Sequence, residues 1–227
     1  MSDPLVRAED LRRSFGAGEA TVAALSDATF QIAPGDHIAL IGPSGSGKST
    51  LLHLVAAIDR PTSGVITWPA LGQPETLRPG PVSIAFQGPS LLPPLTVLEN
   101  VELPLLLLNW PQDRAGAAAA ALIERLRIAD VAEKLPEELS GGQLQRAGLA
   151  RALVGEPKLV LADEPTGQQD RETARLVVDA LFEETGRTGT ALLVATHDRA
   201  VAERFPIRWT MRDGVLSTET GVVASSS

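Results

Sequence analysis

The sequence predicts an α/β fold, with helices on both faces of a mainly parallel sheet. Short apolar runs at 37–41, 158–162 and 191–195 are bounded by turn residues, as buried strands are. Segments of helical composition alternate with them at 49–58, 143–154 and 172–184. Strands alternating with helices in this way build parallel sheets.

Around that core the remaining elements fall in order. Residues 5–32 read as short strands with a turn at Gly16–Gly18, which makes an N-terminal antiparallel β-subdomain. Pro61-Thr-Ser-Gly64 reads as a turn before a strand at 65–68, and Val82–Phe86 as a strand ending at Gln87. Between 87 and 136 the chain is rich in Leu and Ala, carries several prolines, and is expected to be helical from about Arg114 to Arg127. That segment is expected to form a helical insertion. Arg212-Asp-Gly-Val215 predicts a hairpin turn, and the Ala224–Ser227 tail is expected to be disordered. The expected organisation is a single domain over 1–227. Its catalytic core with the β-subdomain occupies 1–86 and 137–220, the helical subdomain 87–136, and a flexible tail 221–227.

Composition excludes several classes. The 227 residues suffice for one substantial core. A net charge of −8 argues against a duplex-binding module, which needs basic residues to neutralise phosphates, so no nucleic-acid partner is expected. With no Cys, disulfides and thiolate metal sites are excluded. The start lacks the apolar core of a signal peptide, and no apolar run approaches the ~20 residues that span a bilayer. The chain is expected to be cytoplasmic and to meet a membrane only through a partner.

Gly42-Pro43-Ser44-Gly45-Ser46-Gly47-Lys48-Ser49, followed by Thr50, matches G-x-x-x-x-G-K-[ST] at every specified position. Such glycines let backbone N–H groups curl around an anion, and the helix that follows points its positive end at the same phosphates. Lys48 is placed to reach the β- and γ-phosphates, and the Ser49 hydroxyl to ligate Mg²⁺. By average residue frequencies a chance match in this chain is on the order of 1%. Leu159-Val-Leu-Ala-Asp163-Glu164 is an apolar strand ending in two carboxylates. Asp163 suits a metal-linked acid, and Glu164 a general base for an attacking water.

Leu139-Ser140-Gly141-Gly142-Gln143 lies between the phosphate loop and this acidic strand end. Here the chain resembles the ATP-binding cassette (ABC) family, whose signature is this pentapeptide. The resemblance runs from about Val6 to Val215. It implies a P-loop NTPase core of RecA-like type, ATP and Mg²⁺ as ligands, and head-to-tail pairing with a second copy or a second ABC ATPase. The signature of one subunit would then face the γ-phosphate held by the other. The same resemblance makes Gln87 the Q-loop glutamine sensing Mg²⁺ and water, His197 the switch histidine, and Asp170 the D-loop aspartate. Gln168 and Gln169 stand where the family often has small or apolar residues. With no Tyr in the chain, the resemblance puts Phe15 at the adenine-stacking position, the alternative being a ring packed within the small β-subdomain.

Ala56–Gly64, Leu91-Leu-Pro93, Leu95-Thr96, Glu99–Pro104 and Ala162–Gly167 resemble one branch of the family. That branch comprises ATPases of macrolide and peptide exporters, of lipoprotein-releasing complexes and of the cell-division complex. It implies an ATP-hydrolysing subunit, peripheral at the inner face of the cell membrane, that powers a separate permease in export or extraction. The competing expectations are a regulatory ATPase driving a membrane protein that controls a cell-wall enzyme, and a soluble non-transport ABC ATPase. The apolar stretch Leu91–Leu108 is expected to help receive the permease, with Leu91–Val97 nearest the contact.

Overall fold

The computed structural model describes residues 3–16, 18–86, 88, 90–167 and 171–218. Its centre is a six-stranded sheet in the order β10-β9-β4-β8-β7-β6. Strands β4 (His37–Ile41), β6 (Val82–Ala85), β7 (Leu159–Asp163), β8 (Ala191–Thr196) and β9 (Ile207–Arg212) run parallel. β10 (Val215–Ser217) returns antiparallel to β9 through the expected hairpin turn.

Side chains alternate across this sheet with the strand period of two. Leu159 and Leu161 of β7, Leu193 of β8, and Ile38 and Leu40 of β4 enter one core. Val160, Leu192, Val194 and Ala39 enter the other. The first core is closed by α1 (Lys48–Val55) and an antiparallel sheet; the second by α2 (Val97–Leu107), α3 (Gln112–Arg125), α4 (Gly141–Leu153), α5 (Arg171–Thr188) and α6 (Arg199–Ala202). Both faces are therefore covered, which suits the near-continuous apolar runs.

In the antiparallel sheet, β1 (Val6–Phe15) pairs with β2 (Val22–Leu25), β3 (Phe30–Ile32) and β5 (Ser63–Thr67). The turn expected at Pro61–Gly64 is in part strand, because β5 already begins at Ser63. Gly64 is glycine for a close approach: at φ 84°, a Cβ there would lie 2.3 Å from the Asp10 carbonyl oxygen. The β1–β5 register shifts between Glu9 and Arg12, as at a bulge.

Two helices differ from expectation. α1 stops at Val55, short of Ile58, because Ala57 turns to φ 53°. Its last carbonyls are held by side chains: Trp68 Nε1 donates to Val55 O at 2.8 Å, and Arg78 Nε to Ala56 O at 2.8 Å. α2 lies within the expected helical insertion but ahead of the stretch from Arg114 where the sequence places its helix. Thr96 and Glu99 form a capping box at its start, and Pro104 is carried inside the helix. No helix among the described residues is long and apolar enough to cross a membrane.

Asn100 on α2 is fully buried and holds the loop that leads into the helix. Its Oδ1 accepts from Leu92 N at 2.7 Å, and its Nδ2 donates to the carbonyls of Leu92, Leu95 and Thr96. Asn100→Ala leaves these groups without their partner and is expected to destabilise the chain by about 1–3 kcal/mol. Urea denaturation measures this; an unchanged midpoint would show that the loop does not depend on Asn100.

Candidate functional site

β4 lies between β8 and β9, and its carboxyl end opens directly into the loop 42–47. In register, Ile41 sits beside Thr196 and Asp163 beside Ala195, so β4, β7 and β8 end at one level. Loops leaving the carboxyl ends of parallel strands are where α/β sheets bind ligands.

The loop's backbone is fixed by packing from below. Gly47 has φ 105°, and a Cβ there would meet the Ala24 carbonyl oxygen at 2.2 Å. α1 follows at once, so Lys48 is its first residue and Ser49 the second, with an exposed hydroxyl; Thr50 is half-buried. Pro43, Ser44 and Gly45 lie at the surface, whereas Ser46 is buried.

Lys48 bends back over this loop. Its buried Nζ donates to Gly42 O at 2.8 Å and Pro43 O at 3.2 Å, and lies 3.6 Å from Glu164 Oε1. Glu164 follows the last residue of β7 at φ 48°, its N–H bonded to Ala195 O of β8 at 2.9 Å. Non-glycine residues held in this region tend to mark functional sites. The other oxygen, Oε2, lies 2.9 Å from His197 Nδ1 and accepts the His197 backbone N–H at 3.4 Å. The Glu164 side chain is 9% exposed and that of His197 63%, so the imidazole stands on the solvent side of the carboxylate. Residues from three separate strand ends thus meet in one cluster.

Beside it, Asp163 Oδ1 and Ser46 Oγ are buried with no hydrogen-bond partner among the described residues. Buried polar atoms are rarely left unpaired, and a site that binds an ion or phosphate accounts for such exceptions. A carboxylate oxygen and hydroxyls are hard donors of the kind Mg²⁺ takes. The residues present therefore fit a magnesium–phosphate group.

Ser140 N-caps α4 through a capping box with Gln143, whose Oε1 accepts the Ser140 N–H at 3.0 Å. Gly141 opens on free space, and a Cβ on Gly142 would touch only Thr173, at 3.5 Å. Among the described residues no hydrogen bond or ion pair joins 140–143 to the loop 42–50. Phe15 ends β1 as an exposed ring rather than a core side chain, with the Arg13 guanidinium 4.3 Å from its centroid. Arg13 is itself tied to Asp59 at 2.7 Å, beyond the end of α1. Gln87, Gln168, Gln169 and Asp170 lie outside the described residues.

The family model described as ABC transporter matches residues 25–167. This chain belongs to the ABC transporter family. Within that family it is similar to the lipoprotein-releasing system ATP-binding protein LolD of Legionella pneumophila strain Lens, at 40% identity over 95% of this chain and 98% of that protein. The LolD protein of Shewanella oneidensis is 38% identical over 95% of this chain and 97% of its own. Among solved structures, the dimeric post-hydrolysis state of the ATP-binding cassette MJ0796, bound to ADP and Pi, superposes with a TM-score of 0.84. That pair is 31% identical, covering 95% of this chain and 99% of the other. The cbiO1 protein of Clostridium perfringens, part of an ABC transporter complex, gives 0.83 at 26% identity over 96% and 89%. The fold is accordingly the P-loop NTPase core with its N-terminal antiparallel sheet and helical insertion, and the chain is an ATP-binding subunit of the ABC type.

Sequence reasoning missed Arg151 of this ABC chain. Its Nη1 donates to Ser90 O at 2.6 Å, tying α4 to the segment that follows Gln87. Its position on the helix beginning at the signature was the available signal.

Gly47→Ala is expected to displace the loop, since Cβ and the Ala24 carbonyl oxygen cannot share 2.2 Å. ATP affinity measured by titration should fall at least about tenfold, the ratio a 1.4 kcal/mol penalty produces. Unchanged affinity would mean that the loop relaxes without consequence for the phosphates.

Proposed function

We propose that this ABC subunit hydrolyses Mg²⁺-ATP between its own phosphate loop and the signature of a second copy, and that the resulting closure and opening drive a separate membrane permease. The single observation carrying this reading is the cluster of Lys48, Glu164 and His197 at the ends of three strands. ATP phosphates approaching the loop offer Lys48 Nζ a better partner than the carbonyls of Gly42 and Pro43. Its departure leaves the Glu164 carboxylate free to accept a proton from water. That water attacks the γ-phosphorus in line; its oxygen bonds to phosphorus, and the bond to the β–γ bridging oxygen breaks with its electrons passing to ADP. His197, bonded to Glu164 through Nδ1, keeps the carboxylate and water aligned. Magnesium, held by Ser49, Gln87 and Asp163, would neutralise charge on the phosphates.

Half of the site is absent from one chain. Ser140, Gly141, Gly142 and Gln143 form the start of a helix, the feature that binds anions elsewhere, yet no described contact links them to this chain's own loop. A head-to-tail pair supplies each loop with its partner's signature, with Asp170 acting across the same interface, and the relative MJ0796 is a dimer. Phe15 and Arg13 offer a ring and a cation for the adenine.

The permease contact we assign differs from the sequence expectation. Leu91 and Val97 are buried, whereas Phe86, Leu92, Leu107 and Leu108 are exposed. Phe86 and Leu107 line a cavity of about 460 Å³ beside the edge strand β6, together with Ile84, Leu103 and Pro104 and with Arg78 and Arg151 at its polar side. An apolar recess on such an edge suits a short element of a membrane protein. The lipoprotein-releasing names of the relatives support extraction of a lipidated cargo.

Glu164→Gln keeps the side chain's shape but removes the base. The variant is expected to bind ATP, to accumulate as a dimer in gel filtration with ATP, and to hydrolyse it about 10²–10⁴-fold more slowly. Near-normal turnover would remove Glu164 from the chemistry.

A further inference from the structure

A second cavity, of about 350 Å³, opens on the other side of the phosphate loop. Gly42 and Pro43 of the loop and His197 of the reactive cluster form one wall; Arg199, Arg208 and Arg212 stand around the rest. The strand period explains the arrangement. On β9, Trp209 and Met211 are buried in the core, so Arg208, Thr210 and Arg212 share the opposite face. β9 lies parallel to β4 with Thr210 beside Ile41, which places that face level with the start of the loop.

Three arginines converge on this one recess. The chain carries a net −8, and its other guanidiniums include several held in ion pairs, such as Arg13, Arg125, Arg187 and Arg204. Arg199, Arg208 and Arg212 have no ion pair or side-chain hydrogen bond to any described residue, and among the described residues Glu203 is the one carboxylate lining the cavity. A solvated polar face of β9 would account for their exposure but not for three cations converging on a recess that shares a wall with the catalytic cluster. Guanidinium forks match the geometry of phosphate oxygens.

We propose that this cavity takes the inorganic phosphate released by hydrolysis and is its way out of the site. The inference rests on the ATPase reading above. Once the γ-phosphate is cleaved, a dianion lies beside Lys48 and the loop amides, which hold it. Arginines across the shared Gly42–Pro43 and His197 wall provide a competing set of donors on the solvent side, large enough in volume for the ion with part of its water shell. ADP, bulkier and held along the whole loop, stays behind.

The test separates this site from the phosphate loop. In Lys48→Ala, whose loop has lost its cation, titration with inorganic phosphate followed by phosphorus NMR is expected to retain one binding site. Adding Arg208→Gln and Arg212→Gln should weaken it by about tenfold or more for each arginine, whereas Arg208→Lys and Arg212→Lys, which keep the charge, should weaken it less. With Lys48 intact, a fluorescent phosphate sensor in a single turnover of ATP should show release slowed several-fold in the Gln pair, with the cleavage step unchanged. Absence of phosphate binding in Lys48→Ala, equal binding in all variants, or an unchanged release rate would each overturn the proposal. A site that binds phosphate but leaves release unaffected would take its anion from solution rather than from the reaction. If the chain hydrolyses no ATP, the ATPase reading fails, and with it the role in release. The phosphate titration would still decide whether the cavity binds the anion.

Discussion

The site depends on the register of three neighbouring strands. Because Asp163 pairs beside Ala195 and Ile41 beside Thr196, the chain leaves β4, β7 and β8 at one level, and three side chains far apart in sequence arrive within bonding distance. A slip of one residue would turn each strand's side chains to the opposite face. Alternation of Leu159, Leu161 and Leu193 into one core and Val160, Leu192 and Val194 into the other holds the register against such a slip. Glu164 then needs only one departure from regular backbone, at φ 48°, to direct its carboxylate at Lys48 and His197.

Charge is distributed around that geometry so that the phosphate loop is the place where an anion is wanted. Lys48 is satisfied in its absence by two carbonyls and a carboxylate, all weaker partners than a triphosphate. Asp163 Oδ1 and Ser46 Oγ are buried with no hydrogen-bond partner among the described residues. Beyond the loop, the arginines on β9 and α6 extend the positive field of an otherwise acidic chain to the far side of the same wall. An anion is thus received from one direction and drawn off in another.

Much of this was legible in the residues. The phosphate loop, the acidic strand end and the signature are local patterns whose chemistry requires those residue types at those spacings, and buried parallel strands announce themselves as short apolar runs. The misreadings came where a local signal had a tertiary cause. Gly64 reads as a turn residue, but it is glycine because the Asp10 carbonyl passes above it in the bulged β1–β5 pair. Within the helical insertion the sequence reading places helix only from about Arg114, although Thr96 and Glu99 carry the capping signal of α2. Asn100, Arg78 and Trp68 give no sequence sign of their work, since each bonds to carbonyls that only the folded chain brings near. The arginines around the second cavity became visible only once β9 was placed beside β4.

In the proposed arrangement one chain holds two halves of different sites and no whole one. Mixing two variants tests it most directly: Lys48→Ala, which spoils the loop, and Ser140→Arg, which blocks the signature. Each alone should be nearly inactive, because every site in its own dimer contains a damaged half. In a mixed dimer one site combines an intact loop with an intact signature, so ATPase activity should reappear on mixing. Activity that stays at the level of the separate variants, in a mixture shown to contain heterodimers, would contradict a shared site.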